Sequence, residues 1–367
     1  MVPESIISVI TDPRNGKNQR YSLYELVLII FSSVISGYDA PDQMVEFASL
    51  KIEWLRKFAP YKHGTPCAET IRYLLCAIKP SELVQCFQLF ITEVSDEQCE
   101  SDIISLDGKT MRGTGKATED ALHMISAWSH SHGITLAALE SKGKKNEIET
   151  LPRVISMLGV ENAIITTDSM GCQKKVCSSI VESNNDYVLQ IKDNQKCLLE
   201  EIKAYFHKIR REKFKGVDYQ EYETVDKGHG RLEMRRYTHF ELTDWIDKLG
   251  DWKSLCSAVM VERTREIKGV SSTETSWYIS SLTVNAEMAA KSIRAHWGVE
   301  NNLHWWLDVV FKDDYCRLHS AAGPLNLSVI KRFCMNLLRK DNTIKTMKNR
   351  VMACAIDDSF RERVLVG

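Results

Sequence analysis

A chain of 367 residues with 44% hydrophobic and 26% charged residues has the apolar content to bury a core. That excludes extended disorder and predicts two or three domains, or one large domain with insertions. The formal net charge of -1 excludes a uniformly basic nucleic-acid binder and leaves only local patches to attract phosphate.

Residues 1–95 predict a small helical domain. SLYELVLIIFSSVISG has a Ser cap, Glu25 at the third helical position and Gly37 as a C-terminal stop. Its apolar run LVLIIFSSVI is too short for the roughly 20 residues of a bilayer span. MVPESIISVITDPR lacks the layout of a signal peptide, so a cytoplasmic protein with no membrane partner is expected. DAPDQMVEFASLKIEWLRKF, HGTPCAETIRYLLCAI and SELVQCFQLFITEV continue the helical spacing.

From residue 102 strands and helices alternate. DIISLD reads as a strand, ALHMISAWSHSHGITLAALESK as two strands joined at SHSHG, and NEIETLPRVISMLGV as a helix. ENAIITTD is a strand, CQKKVCSSIVESN a helix and DYVLQIKDNQ a strand, which together predict a mixed α/β sheet with some parallel pairing. Residues 217–282 return to β. A hairpin is expected at DKGHGRLEMRRY, where Gly228 and Gly230 allow positive φ and Arg231, Arg235 and Arg236 flank the tip. Helices follow from Asn285, and residues 341–367 read as a basic helical tail. Eleven scattered cysteines without C-x-x-C spacing read as reduced, mostly buried side chains.

Two segments concentrate positive charge. KAYFHKIRREKFK (203–215) carries six Lys/Arg against one Glu, and KRFCMNLLRKDNTIKTMKNR (331–350) carries seven against one Asp. Such runs are commonly solvated helix faces, and they are also what phosphate binding requires.

Asp107 and Asp168 each end an apolar strand and precede a small or turn-prone residue, Gly108 and Ser169. Carboxylates at strand ends of an open α/β sheet lie at the ligand-binding rim, although Asp is also an ordinary turn residue. The stretch RAHWGVENNLHWWLDVVFKDD sets Glu300 among three tryptophans and two histidines. On an α-helix His296, Glu300, His304 and Asp308 form one polar stripe. His296 and His304 are about 12 Å apart along the axis at 1.5 Å per residue, too far to share a zinc ion. The tryptophans read as core or DNA-facing packing. Three carboxylates without a Cys/His set favour Mg²⁺ or Mn²⁺, and two such ions about 3.5–4 Å apart cleave phosphodiesters.

SLDGKTMRG, TTDSMGCQKK, YVLQIKDNQ, GHGRLEMRRY, WYISSL and RAHWGVENNLHWWLDVVFKDD, in that order, resemble the ISAs-type insertion-sequence transposases, including the H-repeat-associated proteins of Rhs elements. The N-terminal block with HGTPCAETIR looks like the associated helical domain of the same family. The resemblance implies a ribonuclease H-like core over 96–340 with a β insertion at about 217–282. It also implies a DDE triad of Asp107, Asp168 and Glu300 holding two Mg²⁺ or Mn²⁺ ions. The implied partners are terminal inverted repeats and target DNA, bound as a homo-oligomer. Expected DNA contacts are Lys109, Arg112, Lys174, Lys192, Lys208, Arg210, Arg211, His229, Arg231, Arg235, Arg294, His296 and His304. The sequence departs from the family pattern at Ser169 and Asp193, and Asp193 adds negative charge near the site. The implied activity is DNA cleavage and strand transfer; the alternative is a catalytically impaired DNA-binding remnant.

Overall fold

Among the described residues four helices of ten or more residues precede the first strand, α1 (Leu23–Ile35), α2 (Pro41–Leu50), α3 (Ala68–Ala77) and α4 (Pro80–Val94), with one short helical turn at Ile52–Leu55. The computed structural model describes residues 7–366 apart from 15, 17–18, 95–101, 116–120, 144–145, 229–230, 244–248, 268 and 319–321. Helix α1 starts at the expected capping box, with Ser22 Oγ accepting from the Glu25 amide and Glu25 accepting from the Ser22 amide. The chain leaves the helix through Gly37 at φ +86°, a left-handed turn that glycine adopts at least cost. Among the described residues no single helix is long and apolar enough to cross a membrane.

The α/β part contains β1 (Ile103–Thr110), β2 (His123–Ser129), β3 (Ile134–Ser141), α5 (Glu147–Ser156), β4 (Ile164–Thr167), α6 (Lys174–Glu182), β5 (Asp186–Ile191) and α7 (Lys196–Arg211). Four long strands follow: β6 (Tyr219–Gly228), β7 (Arg231–Glu241), β8 (Ser257–Ile267) and β9 (Val270–Ser280). All nine lie in one sheet of order β3-β2-β1-β4-β5-β9-β8-β7-β6. Strands β1, β2 and β3 are antiparallel, whereas β1, β4 and β5 are parallel. That is the ribonuclease H-like arrangement. The expected β insertion extends this sheet, because β9 pairs antiparallel with β5 and the β6–β9 meander continues outward.

Alternation along β1 and β4 gives the sheet two chemically distinct faces. Ile104, Leu106 and Ile165 enter the main core, while Ile103 and Ile164 join a second cluster with Val188, Tyr237, Val259, Tyr278, Ala289 and Ile293. Helix α8 (Ala286–Val299) covers this second face. Its Ala286, Ala289 and Ala290 are buried, and such small side chains allow a helix to approach a sheet closely.

The chain closes with a wide turn at Glu300–His304, then α9 (Trp305–Val309), α10 (Gly323–Lys340), α11 (Met347–Ile356) and α12 (Asp358–Val366). Helix α10 packs on β3 and on α1, α3 and α4. Its Phe333 stacks on Phe90 at 4.3 Å between centroids and meets Phe31 edge-on at 5.0 Å. Helices α11 and α12 also contact α1, so the basic closing segment is docked on the N-terminal helices. The 331–350 run is not one continuous basic surface. Lys331 and Arg332 are wholly buried, with Lys331 Nζ 2.9 Å from Asp39 and 3.8 Å from Asp313, and Arg332 3.6 Å from Asp313. The described cysteines are free, six of them buried, as expected.

This buried cluster joins the N-terminal helices to the segment after Glu300. Removing a carboxylate from such a cluster leaves uncompensated interior charge. Asp313→Ala is expected to destabilise the fold by about 3–5 kcal/mol, measured by denaturant unfolding. A change below about 0.5 kcal/mol would show that Lys331 and Arg332 do not depend on it.

Candidate active site

The two-residue period of a strand sends Ile103, Ser105, Asp107 and Lys109 of β1 toward α8, and likewise Ile164 and Thr166 of β4. The parallel register runs from Ile103↔Ile164 to Leu106↔Thr167. Asp107 and Asp168 therefore occupy the next position, on neighbouring strands that lie about 4.8 Å apart in a sheet. One sequence expectation needs correcting. Strand β1 does not end at Asp107 but continues to Thr110 along β2, with Asp107 opposite Ser126. The rim exists because β4 stops at Thr167. Asp168 also serves as a cap: its Oδ1 accepts from the amides of Met170 (2.9 Å) and Gly171 (3.3 Å).

Glu300 reaches the same place from the opposite side. It does not lie in a regular helix, because Glu300–His304 forms a π-helical turn in which the Trp305 amide donates to the Glu300 carbonyl. The polar stripe expected from α-helical spacing is therefore interrupted. His304 Nδ1 lies 3.2 Å from Glu300 Oε2 and 3.6 Å from Asp107 Oδ2. One ligand atom from each of Asp107, Glu300 and His304 falls within 4.8 Å of the other two. Burial, followed by the charges of Asp168, Glu147 and Glu300, pushes the Asp107 carboxyl up to about 7, against a hydrogen bond from the Gly108 amide. Burial, with Arg332 and Lys109 nearby, brings the His304 imidazole down to about 3.

A layer of polar contacts fixes these groups. Thr166 Oγ1 is 3.2 Å from His296 Nδ1 and 2.9 Å from Ser105 Oγ, which is 2.8 Å from His130 Nε2. This chain ties α8, one turn before Glu300, to both aspartate strands. Behind β1, His123 Nε2 donates to Glu147 Oε1 at 2.5 Å, and Thr110 Oγ1 lies 2.7 Å from His123 Nδ1. Gly108 is required by this pair: a Cβ there would come within 2.5 Å of His123 Nε2 and 2.6 Å of Glu147 Oε1.

Several expected DNA contacts are committed elsewhere. Lys109 is buried, with its ammonium 2.6 Å from Asp308 and 3.5 Å from Asp314. His296 is held against Thr166 and lowered to about 4, mainly by burial, and His304 is buried in the carboxylate cluster. Arg235 is buried between Asp226 and Glu233 and not at the hairpin tip. Gly228 pairs with Arg231 as the last rung of the β6–β7 hairpin and has no positive φ. His229 and Gly230 lie outside the described residues, as does the side chain of Arg231. Lys174 is exposed and paired with Asp251 at 2.9 Å. Arg112, Lys192, Arg210, Arg211 and Arg294 are exposed, and Lys208 is half-buried.

Lys192 and Arg294 share a cleft of about 720 Å³ beside Glu300 with Lys203, Lys227, Arg263 and Arg265; Asp193, Asp226, Glu233 and Glu274 also line it. Sequence reasoning missed Arg263 and Arg265, although their two-residue spacing in VERTREI places them on one face of β8. Of the tryptophans read as core or DNA-facing packing, Trp306 is partly buried against the main core, whereas Trp297 is 58% exposed and Trp305 46%. The buried apolar positions of this stretch are Val299, Leu303, Leu307 and Phe311.

Residues 98–337 match the family described as "Transposase DDE domain", and residues 5–91 match its associated family, DDE_Tnp_1-associated. The chain is 30% identical over 98% of its length to 97% of "H repeat-associated putative transposase YhhI" from Escherichia coli K12. It is 32% identical, again over 98% of its length, to 93% of "Putative transposase YncI" from Escherichia coli O157:H7. A solved piggyBac transposase synaptic complex with hairpin DNA aligns over 100% of this chain and 78% of its own, at 10% identity and a TM-score of 0.42. The chain belongs to the DDE transposase family.

Two outcomes test the site's electrostatics and packing. With its folded pKa raised from 3.8 to about 7, Asp107 holds a proton that the unfolded chain has lost, so stability falls as pH rises through that window. Asp107→Asn should therefore melt a few degrees above wild type at pH 8, with the gap closing toward pH 4. His296 and His304 act oppositely below pH 6.5 and cancel in this difference; a gap independent of pH would contradict the assignment. Gly108→Ala should cost about 1–3 kcal/mol by displacing His123 and Glu147, measured by thermal unfolding.

Proposed function

We propose that the chain cleaves DNA at the ends of an insertion sequence and joins the freed 3′ ends to target DNA, using Asp107, Asp168 and Glu300. The observation that supports this reading is Glu300 within ligand distance of Asp107, whose strand pairs with the one that ends just before Asp168, beside a cleft lined by Lys and Arg as well as acidic side chains. Divalent cations, Mg²⁺ or Mn²⁺ and two in number, would supply activation of the attacking oxygen and stabilisation of the leaving oxygen. The donor set fits such ions: hard carboxylate oxygens crowd together, and Asp107, raised first by burial and then by the neighbouring carboxylates, has a charge that a cation would offset.

The protein's own contribution is placement. Asp107 and Asp168 are set by strand register, and Glu300 by the π turn and the His296–Thr166 contact. Lys192 and Arg294, exposed in the cleft, would hold backbone phosphates, and the exposed faces of Trp297 and Trp305 offer stacking surfaces for unpaired bases. Terminal inverted repeats and target DNA would be bound by more than one copy, since two element ends must be brought together. A catalytically impaired DNA-binding remnant is the second reading, favoured by Asp193 in the cleft wall.

Incubating the protein with Mg²⁺ or Mn²⁺ and DNA carrying the element ends separates the two: joined products support the first, and retention without cutting the second. Glu300→Gln should lower cleavage by several orders of magnitude while leaving fold and DNA binding intact, because Glu300 is 71% exposed and packs little. Cutting at the wild-type rate in this variant would remove Glu300 from the chemistry. Neutralising Lys208, Arg210 and Arg211 together should flatten the salt dependence of binding, by about 0.9 logarithmic units for each phosphate they had neutralised. An unchanged slope would make the end of α7 a solvated face.

A further inference from the structure

We infer that His304 is a metal ligand through Nδ1, making the site a mixed imidazole–carboxylate site that takes Mn²⁺ in preference to Mg²⁺. This rests on the reading of Asp107, Asp168 and Glu300 as a cation site and adds to it a residue type that an all-carboxylate triad does not contain.

The geometry comes from the π turn. Glu300 and His304, at i and i+4, share one side of the wide turn, and Nδ1 of His304 faces carboxylate oxygens of Glu300 and Asp107 at 3.2 and 3.6 Å. π-Helical turns occur mostly as single turns at functional positions, where the extra residue re-aims a side chain. The imidazole is 5% exposed, yet its Nε2 has no hydrogen-bond partner. Among the described residues the ring's hydrogen bonding is confined to Nδ1, the nitrogen that faces the carboxylate pair.

The surroundings fix the ring rather than offer a rival partner. Lys109 is taken by Asp308 and Asp314, and Arg332 donates to Ser126 Oγ and to the carbonyl of Ser328. Leu303 and Leu307, buried on either side in sequence, leave the ring little freedom to turn away. In the ligated state the ring remains neutral, with its single proton on Nε2 and the Nδ1 lone pair on the ion.

Imidazole nitrogen is a poor partner for Mg²⁺; Mn²⁺ shares the carboxylate preference of Mg²⁺ but, as a first-row transition ion, accepts nitrogen more readily, the preference rising toward later ions. The site should therefore bind Mn²⁺ at least about tenfold more tightly than Mg²⁺, and loss of the imidazole should remove most of that difference.

The test is electron paramagnetic resonance of Mn²⁺ added to the full chain, with pulsed detection of nitrogen coupling and calorimetric titration of Mn²⁺ and Mg²⁺. The expected result is one tightly held Mn²⁺ with a directly coordinated nitrogen signal. That signal should change on ¹⁵N-histidine labelling and disappear in His304→Gln, together with at least a tenfold loss in Mn²⁺ affinity and little change for Mg²⁺. His130→Gln and His296→Gln should keep the signal. Tight Mn²⁺ binding without nitrogen coupling in the wild-type protein would overturn the role of His304 and leave the carboxylate site standing. No specific Mn²⁺ binding at all would overturn both. The wild-type spectrum alone decides between these, whether or not any variant folds.

Discussion

The structure is organised around a repulsion. Asp107 lies on β1 and Asp168 just past the end of the parallel β4, Glu300 approaches across the opening, and Glu147 lies behind; burial first, and these charges after it, raise the Asp107 carboxyl to about 7. Nothing in folding alone favours such crowding. It persists because stronger constraints surround it: the backbone register of β1 and β4, the α8 helix pinned through His296 to Thr166, and a π turn that a plain helix would avoid. A local arrangement that costs stability while the rest of the fold is consistent marks the place where function is kept.

The same reasoning explains the long-range architecture. Extending the core sheet from β5 through β9 to β6 gives α8 a broad apolar floor, and it raises a wall of Lys and Arg side chains next to Glu300. On the other side, α10 carries Lys331 and Arg332 into the interior between Asp39 and Asp313. The N-terminal helices are thereby joined to the segment that follows Glu300. A change in their packing would be felt at the end of the site that Glu300 and His304 occupy.

Much of this was legible in the sequence, for identifiable reasons. Strand and helix alternation and the Ser22–Glu25 cap are local signals, and the structure follows them. Asp107 and Asp168 could be picked out because each follows an apolar run. What the sequence hid depends on distant partners. Lys109 sits beside a triad residue and looked like a phosphate contact, but Asp308 and Asp314, about 200 residues on, claim its charge. Lys331 and Arg332 raised the apparent basicity of a run whose first two charges are internal. The α-helical stripe already set His304 beside Glu300, but the π turn they occupy and the 3.6 Å approach of His304 to Asp107 have no sequence signal. Bulk alone left Trp297 and Trp305 open between core and DNA-facing packing; the core positions are taken by Val299, Leu303 and Leu307, and both indoles are exposed.

The central claim is that this crowded set of carboxylates exists to hold divalent cations. Crystals of the full chain equilibrated with Mn²⁺, with anomalous diffraction recorded at the manganese edge, test it most directly. The account predicts anomalous density among Asp107, Asp168 and Glu300, with those carboxylates turned toward it. Density confined to other acidic groups, or carboxylates that swing apart in the presence of the ion, would contradict it.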